Sequence, residues 1–369
     1  MGKIANLVVG CGFSGATIAR KVAEELGEKV LVIDSREHLA GNAYDYRDAH
    51  GIMLHRYGSH IFHTSLEDVW AWVSRFASFN TYMHKVVALI DGIETSIPFN
   101  LRTLHDVFPP SLASRLEEKL LRRFKLNSKV PIADFRQQDD ADLRFLANYV
   151  YEKVFRHYTA KQWGVDPEAD GMSSVTARVP VHISCDERYF QDKYQGIPLR
   201  GYTELVRSML DHPNIELRLN TPFKSLQVEC DRIFYTGSID EFFDYRFGAL
   251  PYRSVRFALE VHDTPFYQSN AVVNYPCNYD FTRIHEYKYY LGDNSAHTVI
   301  AKEYAEPFEP GKNERCYPIP NQEAADLYAL YAQEAAKLPH VHVLGRLGSY
   351  RYLDMDQAIH AALELFRTL

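Results

Sequence analysis

The sequence predicts an α/β chain: a Rossmann-like nucleotide-binding domain interrupted by a helical insertion and an antiparallel-sheet domain. Three observations carry this. Residues 7–15 read LVVGCGFSG, and a second apolar run ends at Asp34. Helical stripes crowd residues 100–175, and strand signals crowd 180–320. Residues 341–366 then supply one more strand and helix, of the kind that closes an open parallel sheet.

The first segment is the most informative. Val8 and Val9 sit in a short apolar strand, and Gly10, Gly12 and Gly15 come after it in G-x-G-x-x-G spacing. The first glycine permits a tight turn, the second lets a pyrophosphate approach the backbone, and the third lets helix and strand pack closely. Phe13 and Ser14 fill the turn. Residues 16–26 read as a helix that Gly27 ends, and 29–33 (KVLVI) as the next strand. The unpaired N–H groups at that helix start suit a phosphate. Asp34 falls about 20 residues beyond the last glycine, where a carboxylate binds a ribose hydroxyl. Ser35 and a polar turn ending in Gly41 and Asn42 come next.

Further along, residues 53–63 (MLHRYGSHIFH) concentrate histidine and aromatic side chains. Val69, Trp70 and Val73 recur at helical spacing. Residues 85–90 and 94–97 flank Asp91-Gly92, a hairpin signal. Ser111 is positioned to cap a helix with Leu112, Leu116, Leu120 and Phe124 on one face. Residues 142–155 give a second helix with the stripe Leu143, Leu146, Val150 and Val154. The polar stretch 167–174 reads as a linker or a substrate-covering loop. Strands are expected near 179–183, 215–219, 231–235, 254–261, 271–274 and 298–303, and an Ala-rich helix at 321–337.

Bulk properties exclude several classes. Among 369 residues the net charge is −7 with scattered Lys and Arg, so no nucleic-acid surface is signalled. Five cysteines in no close pair argue against a disulfide framework and a zinc site, and no metal is expected. No apolar run approaches a membrane span, and no leader-like segment opens the chain, so a cytoplasmic protein is expected. The 25 Tyr and 21 Phe offer flat faces to an isoalloxazine ring or a base.

Six further segments carry a family resemblance over nearly the whole chain: RYGSHIFHT (56–64), YTAKQWG (158–164), QGIPLRGYTELV (195–206), DYRFGALPYRS (244–254), FTRIHEYK (281–288) and GRLGSYRYLDMD (345–356). With the glycine turn, in this order, they resemble the bacterial UDP-galactopyranose mutases. The resemblance implies a Rossmann-like FAD-binding domain in three parts (1–78, 201–245 and 321–369). It implies a helical domain at 101–178 with a mobile loop near 165–180, and an antiparallel-sheet substrate domain from 79–100, 179–200 and 246–320. It implies that UDP-galactopyranose and UDP-galactofuranose are interconverted: N5 of reduced FAD attacks the anomeric carbon, UDP leaves, and the sugar ring opens and recloses. NADPH or another external donor would reduce the flavin, and the assembly would be a homodimer or higher homo-oligomer.

The same resemblance assigns residues. Arg178 and Arg283 would stabilise charge on the departing diphosphate. Tyr189, Tyr317 and Tyr352 would hydrogen-bond the phosphates. Phe155, Tyr158 and Trp163 would form the uridine pocket, and Asn274 would lie near sugar and diphosphate. His60 and His63 would face the flavin. Arg346 would lie near the flavin and the sugar, and Asp354 and Met355 at the flavin's pyrimidine edge, where a helix N-terminus favours an anionic reduced ring. Several positions depart from the family. Ala40 replaces a frequent glycine, and Ser59, Arg56 and Cys316 are also unusual. These leave the sugar open. UDP-N-acetylgalactosamine or a deoxy sugar nucleotide is an alternative substrate, and an amine-oxidase-type flavin oxidoreductase is the alternative activity.

Overall fold

The computed structural model describes residues 3–164, 180–226 and 228–369. They form two compact units. The first comprises Met1–Tyr82, Asp192–Pro251 and Glu323–Leu369, and the second Met83–Gln191 and Tyr252–Gln322.

The first unit is built on a five-stranded parallel sheet. Its order is Ile215–Arg218, Val30–Ile33, Ile4–Val9, Cys230–Tyr235 and Val341–Val343. All four residues of Val30–Ile33 are buried, as a parallel strand covered on both faces requires. Ala16, Ile18, Ala19 and Val22 of the helix Phe13–Glu25 pack on one side together with Ile359, Ala362 and Leu363 of the closing helix Met355–Arg367. The first strand is central, and its two neighbours come from opposite chain directions. Its C-terminal end is therefore the topological switch point, where open α/β sheets place ligands.

The second unit carries a seven-stranded sheet. Its order is Tyr317–Pro318, Tyr252–His262, Thr298–Pro307, Arg283–Glu286, Val272–Asn274, Val86–Ile90 and Ile93–Ile97. It is antiparallel except between Val272–Asn274 and Val86–Ile90, which run parallel. The expected hairpin forms around Asp91-Gly92. Helices Leu101–Val107, Pro110–Arg123 and Ala141–Val150 pack against it, with Leu104, Leu116, Leu120 and Leu146 fully buried.

Several expectations are corrected. Ser111 does not cap its helix: the helix begins at Pro110, because a proline at the first position needs no N–H partner. Asp140 caps the next one, accepting from Asp142 N and Leu143 N at 2.9 and 3.2 Å. That helix does not run evenly to 155. It passes at Tyr151 into a π-helical turn, Tyr151–Arg156, and resumes as His157–Trp163. The helical and sheet insertions, expected as separate domains, are one compact unit. Residues 192–200, expected in the sheet domain, pack with the nucleotide-binding unit, because Tyr194–Gly196 pairs with Phe62–Thr64. The expected loop at 165–180 lies outside the described residues except for Pro180, which begins the strand Pro180–His182.

Candidate active site

In the first unit the glycine turn is a sterically enforced cradle. Gly10 has φ +98°, and a Cβ there would lie 2.0 Å from Thr236 Oγ1. Thr236 in turn donates from Oγ1 to the Val9 carbonyl at 2.8 Å. A Cβ on Gly15 would lie 1.9 Å from the Gly10 carbonyl oxygen. Gly12 is the N-cap of Phe13–Glu25 and places no side chain over the helix end. Gly41 faces it: a Cβ on Gly41 would lie 3.3 Å from Gly12 Cα. Such a glycine-lined turn at a helix N-terminus is of the kind that lets a pyrophosphate approach the backbone.

Asp34 is buried and aimed at this turn. Its Oδ2 accepts from Cys11 N at 2.9 Å and from the Cys11 thiol at 3.2 Å, and its Oδ1 accepts from Arg36 N at 2.9 Å. Burial and the Asp34 charge push the Cys11 thiol up, so it is a filler and not a thiolate. Arg36 also donates to Asn42 Oδ1 at 2.9 Å, which fixes the loop around Gly41. Ser35 precedes Arg36. Ala40 takes the left-handed conformation, φ +67°, which glycine adopts without steric cost.

The C-terminal segment closes on the same turn. A Cβ on Gly345 would meet Ser14 Oγ at 3.4 Å, and Ser14 Oγ donates to Ala358 O at 3.1 Å. Arg346 lies in the short helix Gly345–Gly348. Asp354 is the N-cap of Met355–Arg367, and its backbone N–H donates to Gln357 Oε1 at 3.0 Å. Met355 is the first helical residue. Tyr352, 41% exposed, precedes the cap. Phe13 packs edge-on against Tyr202, whose hydroxyl donates to His60 O at 3.0 Å. His60 Nδ1 contacts Gly58 O at 2.7 Å. His63 Nδ1 contacts Asp192 Oδ2 at 2.9 Å, and Ser65 donates to the other oxygen of Asp192.

The second unit holds the other expected residues. Asn274 and Arg283 stand directly opposite each other on paired strands, and Arg283 stands opposite Glu303 on the next strand. Glu303 accepts from Arg283 Nε at 2.9 Å, from His285 Nε2 at 2.8 Å and from Thr282 Oγ1 at 2.9 Å. Burial alone would raise the Glu303 carboxyl, but the Arg283 charge and these hydrogen bonds hold it at about 2. Burial pushes His285 down, so it is neutral at pH 7 and donates to the carboxylate. Among the described residues the two terminal nitrogens of Arg283 have no protein acceptor, and the Asn274 side-chain oxygen, buried beside them, has no hydrogen-bond partner. That pairing of an anchored cation and an orphaned polar oxygen fits a polar, anionic ligand.

Aromatic residues surround this row. The Arg283 guanidinium lies 6.0 Å from the Tyr158 ring. Trp163 lies 6.2 Å from Tyr317. Gly164, φ +71°, ends the helix carrying Tyr158 and Trp163, and a Cβ there would lie 2.9 Å from an Arg253 terminal nitrogen. Tyr189 is 39% exposed and packs on His84 and Phe190. Phe155 departs from expectation. It is 2% exposed in the apolar core, beside Tyr151, and so offers no open face to a base. Arg178 lies outside the described residues. Thr236 and Glu303 stand in no segment the sequence singled out, and His285, inside FTRIHEYK, was assigned no role, because each acts on a strand that the local sequence does not name.

A family model described as UDP-galactopyranose mutase matches residues 153–352, and one described as an NAD(P)-binding Rossmann-like domain matches 8–76. The chain is 38% identical to a protein named "Probable UDP-galactopyranose mutase" of Klebsiella pneumoniae, over 97% of this chain and 92% of that one. It is 37% identical to the dTDP-fucopyranose mutase of Escherichia coli, over 97% and 96%. A crystal structure of reduced UDP-galactopyranose mutase superimposes with a TM-score of 0.74 at 15% identity, covering 99% of this chain and 93% of that one. A putrescine oxidase bound to putrescine gives 0.54 at 13%, covering 99% and 98%. These two likenesses show the fold.

Proposed function

The chain belongs to the UDP-galactopyranose mutase family, isomerases with a flavin dinucleotide site and a UDP-sugar substrate, and from that premise we propose that it interconverts UDP-galactopyranose and UDP-galactofuranose with FAD in the reduced state. The observation that carries the reading is the row Asn274–Arg283–Glu303, a charged donor anchored from behind and fronted by an orphaned amide oxygen.

The glycine cradle suits the pyrophosphate of FAD, and Asp34 suits its ribose. When bound and reduced, the flavin supplies an electron-rich nitrogen nucleophile. The chain's own residues do the rest. Arg283 meets the negative charge that develops as the nucleoside diphosphate leaves the anomeric carbon. Glu303 holds Nε, so the two terminal nitrogens can face two phosphate oxygens in a fixed fork. Arg178 is proposed as the second cation on the diphosphate. Tyr189, Tyr317 and Tyr352 donate to phosphate oxygens. Tyr158 and Trp163 border the nucleotide, and the Asn274 oxygen accepts from a sugar hydroxyl. At the flavin, Asp354 and Met355 begin a helix whose N-terminal dipole favours negative charge on the pyrimidine edge. Arg346 adds a positive charge, and His60 and His63 are proposed to line the ring.

The 37% identity to a dTDP-fucopyranose mutase favours a second reading, in which a deoxy sugar on a thymidine diphosphate is used. One assay decides. Anaerobic, dithionite-reduced holoenzyme is given UDP-galactofuranose or dTDP-fucofuranose, and products are separated by chromatography. The proposal expects UDP-galactopyranose to form faster than dTDP-fucopyranose. The reverse order selects the second reading, and absence of both products overturns mutase activity on these sugars.

A further inference from the structure

Lys161 belongs to the helix His157–Trp163, which packs on the strand Thr298–Pro307. Among the described residues its ammonium has no carboxylate in contact. It donates instead to three backbone carbonyls, those of Tyr275, Tyr279 and Phe281. The side chains of the same three residues pack on one another, with ring centroids 4.8, 4.9 and 5.2 Å apart. Residues 275–281 are the turn that leads from Asn274 to the strand Arg283–Glu286. The turn is therefore held twice, by an aromatic cluster and by one cation on its carbonyls.

We propose that Lys161 is a positioning residue for nucleotide-sugar chemistry: by clamping the 275–281 turn it fixes Asn274 relative to Arg283. The inference rests on the proposed role of that pair as ligands of the substrate. Two features support a role beyond general stability. The helix that bears Lys161 also bears Tyr158, whose ring meets Arg283, so one element reaches both the turn and the guanidinium. An ammonium taken from water without a carboxylate is costly, and burial lowers Lys161 to about 8. Cys277 and Asp280, the titratable groups facing it, oppose that fall only in part.

The same unit supplies a control. Lys288 is buried and also donates to three carbonyls, of Pro265, Ser295 and His297, in two connecting segments that carry no proposed ligand. UDP affinity is measured by calorimetry, with kcat/KM, flavin content and Tm, on holoenzyme bearing Lys161→Met, Lys161→Arg, Lys288→Met or Arg283→Ala. Lys161→Met should weaken UDP binding and kcat/KM at least tenfold at unchanged flavin content, and Lys161→Arg should recover part of this. Lys288→Met should lower Tm yet bind UDP within threefold of the unaltered enzyme. If Lys161→Met does not fold, Lys161→Arg decides, with at least a threefold loss expected. The proposal is overturned if the Lys161 variants bind UDP within threefold, or if Lys288→Met weakens UDP as much as Lys161→Met. Unchanged UDP binding in Arg283→Ala would instead overturn the ligand reading on which the inference rests.

Discussion

At the scale of single residues, what decides is whether a side chain has room and a partner. Gly15 has no room. Its substitution by Ala drives a methyl into the Gly10 carbonyl, so Gly15→Ala should purify with little or no flavin, read as the ratio of 450 to 280 nm absorbance. A fully yellow variant would contradict the cradle. Arg283 has one partner behind it, and its loss removes the charge that faces the diphosphate. Arg283→Ala should lower kcat by about 100-fold or more, the scale on which a preorganised transition-state donor acts. Arg283→Lys should recover little, because an ammonium cannot occupy Glu303 and two phosphate oxygens in one plane. Recovery to within twofold would count against the fork. Gly10, Gly12, Gly15 and Asp34 were legible in the sequence because each meets a local requirement of turn geometry. Glu303 was not, because its value lies in standing opposite Arg283 across a strand pair, and register is not written in any one segment.

Among elements, the strand Thr298–Pro307 acts through charge. The ordinary glutamate range lies well above the value of about 2 at which Glu303 is held. A carboxyl lowered on folding contributes stability that is full above its unfolded value, near 4.3, and is lost as pH falls towards 2. Urea unfolding should therefore lose more free energy between pH 5 and pH 3 in the unaltered chain than in Glu303→Gln. Parallel losses in both would remove Glu303 from the acid-sensitive set. The helical stretch 141–163 shows where periodicity stops informing. Leu143, Leu146, Val150 and Val154 are all buried, as the stripe predicts. The π turn at Tyr151–Arg156 adds a residue to the repeat and re-aims the helix beyond it, a feature often found at functional sites. Phe155 lies inside that turn, one residue off the stripe, with its ring in the core, a burial that a motif match by itself does not register. The hairpin at Asp91-Gly92 and the closing helix were legible for the opposite reason: their signals are local and unbroken.

For the whole chain, the nucleotide-binding unit is assembled from three stretches of sequence and the other unit from two. Composition does not mark the returns between them, so residues 79–82, 192–200 and 246–251, expected in the sheet domain, fall in the nucleotide-binding unit. Flavin touches only the folded form, so saturating FAD should raise stability by about 2.7 kcal/mol at one hundred times its Kd. A thermal shift that does not grow with FAD concentration would contradict a specific site. The relatives of similar identity carry different named sugar nucleotides, and Arg56, exposed and 5.8 Å from the Tyr57 ring, is one departure to exchange in testing substrate choice.

A mutase of the proposed kind needs its flavin reduced and does not consume it. Photoreduced enzyme, sealed from oxygen, is given a thousandfold excess of UDP-galactofuranose while the 450 nm band and the products are followed together. Many turnovers per flavin are expected with the band still bleached, and none from the oxidised enzyme. Recovery of the 450 nm band in step with product, one product per flavin, would mean a net oxidoreductase and would contradict the proposal.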